Sequence, residues 1–354
     1  DGVLIANNTD LYDSPNTQPI TRNFRVNGVA HTQSLTAESI ITAANQATNT
    51  DFVGIFGQEF SSISSGNHVN VLGAPAVITI PNGDYGPLYA ALAATSPRPV
   101  VQMNHPGIHR DLFYRGSDAR VIRAMRNDYG FDEFNQDFTA LVAAADVHIS
   151  LIEVLTGPAL DDEIHPTYHY ASRRVHANDY YYYLVQGFHL SPSVGQDNHF
   201  ETWGDSTPAR MGIIAPTLTR DSLMAAMRAN RTFATEDRNL RLELFINDEP
   251  MGSVLSLGAN EPLDIEVHVS DTSEPSASYV AELVYGDVEA QNASTLEKWI
   301  VTDGLTESFT FDGDGVLTFD EYAASGRPEF FFIRLTQGDG DRAWSAPIWI
   351  NHAR

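Results

Sequence analysis

Asp197 and His199 stand two positions apart in Gly195-Gln-Asp-Asn-His-Phe-Glu-Thr-Trp-Gly204, just after the apolar segment 184–194. In an extended strand, residues i and i+2 point to the same side. A carboxylate and an imidazole sharing a side form a donor pair for Zn²⁺, Mn²⁺ or Fe. Asp-x-His alone is a short pattern. It gains weight from Glu59 in Gly57-Gln-Glu-Phe60, His68 in Gly66-Asn-His-Val-Asn70 and His105 in Asn104-His-Pro-Gly107. The chain has no cysteine. A transition metal would therefore rest on His and carboxylate, and disulfides, thiolate sites and a Cys nucleophile are excluded.

Strand ends must present these groups. Through residue 235 the pattern alternates strand, polar residue, loop and helix. Residues 3–6, 52–56, 69–72, 76–80, 100–103 and 149–154 read as strands, and 36–47, 88–94, 134–145, 179–186 and 220–230 as helices. Glu59, His68, His105, Glu153, Asp197 and His199 fall at or beside strand ends, where an α/β barrel carries its functional side chains. Beyond residue 236 the texture changes to short alternating runs at 240–246, 263–269, 279–285, 298–301, 308–311, 329–336 and 343–350, separated by Asp, Gly, Asn and Ser. That texture predicts an antiparallel β-sandwich over 236–354. The expected organisation is thus a barrel over 1–235 and a sandwich over 236–354.

The order Glu, Gly-Asn-His, Asn-His-Pro-Gly, Ile-Glu-Val, Asp-x-His resembles the PHP domain, the polymerase and histidinol phosphatase type of metal-dependent phosphoesterase. The carbaryl-hydrolase-like (CehA/McbA) branch is the most similar. His68-Val-Asn-Val-Leu-Gly73, Gly195-Gln-Asp-Asn-His199, Asn247-Asp-Glu-Pro-Met-Gly252 and Ala343-Trp-Ser-Ala-Pro-Ile-Trp349 also match it in order. The resemblance implies a distorted (βα)7 barrel of α/β class. Glu59 then corresponds to the bridging carboxylate, His68 and His105 to metal ligands, Asp197 and His199 to the closing ligand pair, and Glu153 to a supporting acid. Catalysis would rest on Glu59, His105 and Asp197, with a metal-bound hydroxide attacking a phosphoester. Two departures matter. The family's opening His-x-His strand is absent, and Asn7 and Asn8 stand where an Asp and a His belong, leaving Asn8 only a supporting role. One or two ions of Zn, Mn or Fe are therefore expected, because an amide is a poorer transition-metal ligand than imidazole.

A second metal pattern lies at 310–321. With Thr310 at loop position 1, Asp312, Asp314, Val316 (through its carbonyl), Thr318 and Glu321 take the spacing of a calcium loop followed by an exit helix. A polar hairpin is the bland alternative. His109, His165, His169, His176 and His189 are weaker substrate-contact candidates, and Arg110, Arg115 and Arg210 weaker anion clamps. Tyr180–Tyr183 reads as a core-facing helical turn.

With 46 acids against 21 bases, the chain of 354 residues carries a formal charge of −25. Self-repulsion of that size argues against nucleic acid or anionic membrane as partner and suits an extracellular, periplasmic or cell-surface setting. No apolar run reaches transmembrane length. The chain opens on Asp1 without a leader pattern, which reads as a processed product. Together these features predict a secreted, acidic, metal-dependent hydrolase acting on a small phosphoester. The competing expectation is a non-catalytic PHP descendant that binds or self-assembles through a degraded metal site.

Overall fold

The computed structural model describes residues 3–7, 20–26, 29–35, 37–60, 68–81, 83–106, 128–158, 163–166, 168, 174–198, 202, 204–274, 277–289, 308–310 and 314–352. The chain separates into two compact units, Asp1–Ile149 with Ala215–Ala225, and Ser150–Ile214 with Ala226–Arg354.

In the first unit the strands are β1 (Val3–Asn7), a hairpin of β2 (Ile20–Val26) and β3 (Val29–Leu35), β4 (Ile55–Phe60), β5 (Val69–Leu72) and β6 (Val100–Met103). Its helices are α1 (Ala37–Ala47), α2 (Tyr85–Ala94) and α3 (Phe138–Ala145). β1 runs parallel to β4, whereas β4 with β5 and β5 with β6 are antiparallel. Val69, Val71, Leu72, Val100, Val101 and Met103 are buried with Phe60, Tyr85, Leu88 and Leu92. Each such side chain contributes about 1.5–3 kcal/mol on leaving water. Helix ends are capped by acids. Asp137 accepts the Thr139 and Ala140 amides, and the Glu133 carboxylate accepts those of Tyr85 and Gly86, satisfying donors that the first helical turn leaves open. Arg220 closes the unit by donating to the Gly54 carbonyl and to Asn45 Oδ1 at 2.8 and 2.7 Å.

The second unit contains β7 (Ile149–Thr156), β8 (Arg174–Val175) and β9 (Ser191–Gly195), with β7 antiparallel to β8 and parallel to β9. Helix α4 (Ala177–Val185) buries Tyr180, Tyr181 and Tyr183. Helix α5 (Arg220–Arg228) has Arg220–Ala225 in the first unit and Ala226–Arg228 in the second, and Met224 and Met227 are buried. The other described strands of this unit are β10 (Arg210–Ile213), β11 (Thr232–Thr235), β12 (Arg241–Ile246), β13 (Glu249–Pro250), β14 (Val254–Leu257), β15 (Pro262–Ser270), β16 (Ser278–Asp287), β17 (Ser308–Thr310), β18 (Asp314–Ala323), β19 (Glu329–Gln337), β20 (Arg342–Ser345) and β21 (Ile348–His352). One sheet runs β10-β11-β20-β19-β16-β17, with β21 on β19 and β14 on β21; another runs β13-β12-β15-β18. Leu242, Leu244 and Ile246 of β12 and Ile265 and Val267 of β15 share a single core with Leu283, Phe331, Ile333, Leu335 and Ile348.

The expected (βα)7 barrel is not formed. Every strand path among the described residues is open, and most neighbouring strands run antiparallel. The reason lies in connection length. Only residues 61–68 separate β4 from β5, whereas a parallel crossover needs a dozen or more residues and usually a helix. The strand expected at 76–80 is irregular, and the hairpin β2–β3 was not anticipated. The expected sandwich over 236–354 needs correction too. β10 and β11, which precede residue 236, join its larger sheet, and β14 pairs with β21 in parallel. The run 298–301 lies outside the described residues.

The calcium spacing also takes another form. Asp314, Val316, Thr318 and Glu321 belong to the extended strand β18, which pairs along β15 from Asp314↔Ser270 to Ala323↔Pro262. A ladder spreads these positions along its length, whereas a calcium loop curls them round one ion. The exit helix after Glu321 is replaced by strand. Asp312 lies outside the described residues.

Candidate metal centre

Three of the residues singled out above come together in the first unit. Glu59 sits near the end of β4, His68 immediately precedes β5 and His105 follows β6. Because β4, β5 and β6 are consecutive neighbours, these positions lie at one end of the sheet. Each residue offers one ligand atom, and the three atoms lie within 4.8 Å of one another. Donors bound at about 2.0–2.2 Å to one ion stand about 3–4 Å apart, so small side-chain adjustments complete such a site. His68 Nδ1 is 2.9 Å from Glu59 Oε1. The rings of His68 and His105 meet edge-to-face at 4.9 Å between centroids. His105 adopts a φ of 32°, a region where His is tolerated better than branched residues; strained backbone of this kind concentrates at functional sites.

Glu59 is 8 % exposed. Burial alone would raise its pKa, but the hydrogen bond and charge of His68, the charge of His105 and a hydrogen bond from Asn104 outweigh it. The net result is a carboxyl held below its ordinary value. Glu59 therefore stays anionic, as a metal ligand must. Two imidazoles and one carboxylate form an N₂O donor set, the same composition that holds zinc in many hydrolytic sites with positions left open for water and substrate. The residues present fit a divalent transition metal.

A polar row adjoins these three residues, one that the sequence motifs did not mark. The strand register sets Asn7 beside Glu59, Glu59 beside Asn70 and Asn70 beside Gln102. Gln102, Asn104 and Asn70 are all buried. Asn104 Nδ2 donates to Asn70 Oδ1 at 2.9 Å and to Glu59 Oε1 at 3.4 Å, while Gln102 Nε2 donates to Asn104 Oδ1 at 3.0 Å. The Tyr129 hydroxyl donates to the Asn104 carbonyl at 2.6 Å, and Tyr89 to the Tyr129 carbonyl at 2.7 Å. The available signal was three amide side chains at alternate positions of apolar strands, where polar residues are costly unless paired.

The remaining candidates belong to the second unit or lie outside the described residues. Asp197, in the second unit, is exposed just beyond β9 with a φ of 48°. His199, Asn8, His109, Arg110, Arg115 and His169 lie outside the described residues. Glu153 is buried in β7, accepts the Thr156 hydroxyl at 2.8 Å and packs directly over Gly195. A Cβ at residue 195 would overlap that carboxylate. Gly195→Ala is therefore expected to lower stability by about 1–3 kcal/mol; an unchanged melting temperature would refute the close approach. His165 and His176 are buried, the latter 3.4 Å from Asp179 through Nδ1. Arg210 donates to the carbonyls of Thr207, Ala209 and Gly204 at 2.6, 2.8 and 2.7 Å, so its guanidinium fastens a loop.

No family model matches the chain. It is similar to an uncharacterized protein of Chlamydia muridarum (strain MoPn / Nigg), 29% identical over 151 residues, covering 41% of this chain and 23% of the relative. An uncharacterized Chlamydia pneumoniae protein is 28% identical over 149 residues, with the same coverage of both chains. An uncharacterized protein of Chlamydia trachomatis serovar D is 28% identical over 151 residues. The chain thus spans 23% of the length of these curated relatives. No helix among the described residues is long and apolar enough to cross a membrane.

Proposed function

We propose that this protein is a metal-dependent hydrolase whose centre is Glu59, His68 and His105, with a small phosphoester as substrate class. The convergence of those three donors within 4.8 Å carries the reading. The ordered motifs that resemble PHP-type hydrolases support it, although the open sheets separate this chain from the barrel form. Glu59 would hold a divalent ion of the Zn, Mn or Fe type together with the two imidazoles. Such an ion, when bound, polarises a phosphoryl oxygen and acidifies water. The protein's own part is charge and orientation. Glu59 offsets the cation's charge in a buried setting, His68 is steered by its contact with Glu59, and the backbone turn at His105 sets its ring against that of His68. Location outside the cytoplasm is part of the same proposal, supported by the acid excess.

A metal site without turnover is the second reading. Its motivation is Asn7, which the register sets beside Glu59 where the resembling family carries an acid. The two are separated by metal analysis followed by turnover of bis(p-nitrophenyl) phosphate with added Mn²⁺ or Zn²⁺. The hydrolase reading expects stoichiometric metal and cleavage that chelator abolishes. Metal without cleavage of phosphodiesters, monoesters or carboxyl esters leaves the second reading; absence of bound metal ends both.

A further inference from the structure

We infer that Asn104 is the positioning residue of this centre, setting the orientation of the Glu59 carboxylate through an amide relay that starts at Gln102. The inference rests on the metal-centre reading and adds a residue with no ligand role of its own.

The argument is geometric. Glu59 Oε1 is engaged from two sides, by His68 Nδ1 at 2.9 Å and by Asn104 Nδ2 at 3.4 Å. Those contacts turn one oxygen toward the neighbouring strand. Asn104 cannot rotate freely. Its Nδ2 also binds Asn70 Oδ1, its Oδ1 is held by Gln102 Nε2, and its backbone amide donates to the His68 carbonyl at 3.0 Å. Reversing its amide would set like atoms against each other at both Asn70 and Gln102. The orientation is therefore determined by the network rather than by choice of rotamer. The residue is 4 % exposed, so a lost partner leaves a polar group in the interior at a cost. One side chain thus binds, at once, the carboxylate on β4, the amide on β5 and the amide on β6, and its own backbone tethers the segment that carries His68. Outer partners of this kind typically change metal affinity ten- to a hundredfold when removed.

Asn104→Leu keeps the branched outline and deletes the amide; Asn104→Ser is the smaller variant should leucine fail to fold. Co²⁺ serves as the probe, because its absorption bands report coordination number and symmetry. The expected result is a Co²⁺ affinity lowered about ten- to a hundredfold, with altered band positions. Gln102→Leu should produce a smaller change in the same direction. Asp137→Ala removes the side chain that caps α3, and should lower the melting temperature while leaving the Co²⁺ spectrum unchanged. A wild-type spectrum and affinity in both Asn104 variants would overturn the positioning role while leaving the centre intact. Failure of the wild-type protein to bind Co²⁺, Mn²⁺ or Zn²⁺ would overturn the centre and the positioning role together.

Discussion

Glu59→Gln is expected to weaken divalent-metal binding by about a thousandfold, equivalent to about 4 kcal/mol, and to remove metal-dependent hydrolysis at micromolar metal. The substitution keeps shape and hydrogen-bonding capacity and deletes one charge. In the metal-free protein burial would raise the Glu59 pKa, but the hydrogen bond and charge of His68, the charge of His105 and the Asn104 amide hold it below its ordinary value. A neutral amide offers a cation no such compensation, and both imidazoles would face the ion without an anion beside them. Calorimetric titration with Mn²⁺ or Zn²⁺ reads the affinity directly. A second readout is thermal. A ligand at a hundred times its dissociation constant stabilises the fold by about 2.7 kcal/mol, so wild-type protein should melt higher in saturating metal and the variant should not. A dissociation constant within threefold of wild type would remove Glu59 from the centre.

The largest stability effect is expected at the other end of the chain. Glu236 is fully buried, and Arg342 meets it in a fork, Nε to Oε2 at 2.8 Å and Nη2 to Oε1 at 2.7 Å. The backbone joins the same pair, Arg342 N donating to Glu236 Oε2 and Glu236 N to the Arg342 carbonyl at 2.9 and 2.8 Å. The guanidinium also lies over the Trp344 ring at 5.4 Å. Arg342→Ala would leave a carboxylate in the interior with a single backbone donor. Breaking a buried pair from one side costs about 3–5 kcal/mol, and the lower figure applies because a third of the Arg342 side chain remains in water. At about 2–4 °C per kcal/mol for a unit of this size, the melting temperature should fall by about 6–12 °C. The double variant Glu236→Gln, Arg342→Met should recover most of that loss, since the uncompensated charge is gone. A single variant that melts with wild type would show the pair to be energetically idle.

Much of the second unit follows from local pattern. Leu263, Ile265, Val267 and Val269 alternate with polar neighbours, and β15 buries that alternate set. The helix at Ala37–Ala47 and the apolar strands Val69–Leu72 and Val100–Met103 were likewise written in composition and periodicity. Glu59, His68 and His105 also stand out locally, because they interrupt or adjoin apolar strands where an ionisable group demands a partner.

Other features depended on which segments meet. Strand direction separated an open sheet from a barrel, and the eight residues between β4 and β5 set it only once their pairing was known. Asp314 and Gly315 have the same local character in a calcium loop as in a strand, and pairing with β15 distinguishes the two. The amide relay depended on register. Asn70 and Gln102 are ordinary polar letters until adjacent strands set them in one row with Glu59, and Asn104 until its amide meets both. Hydrophobic period and residue chemistry are local properties, carried by the chain itself. The geometry of a metal centre is a distance between strands, and only tertiary packing determines it.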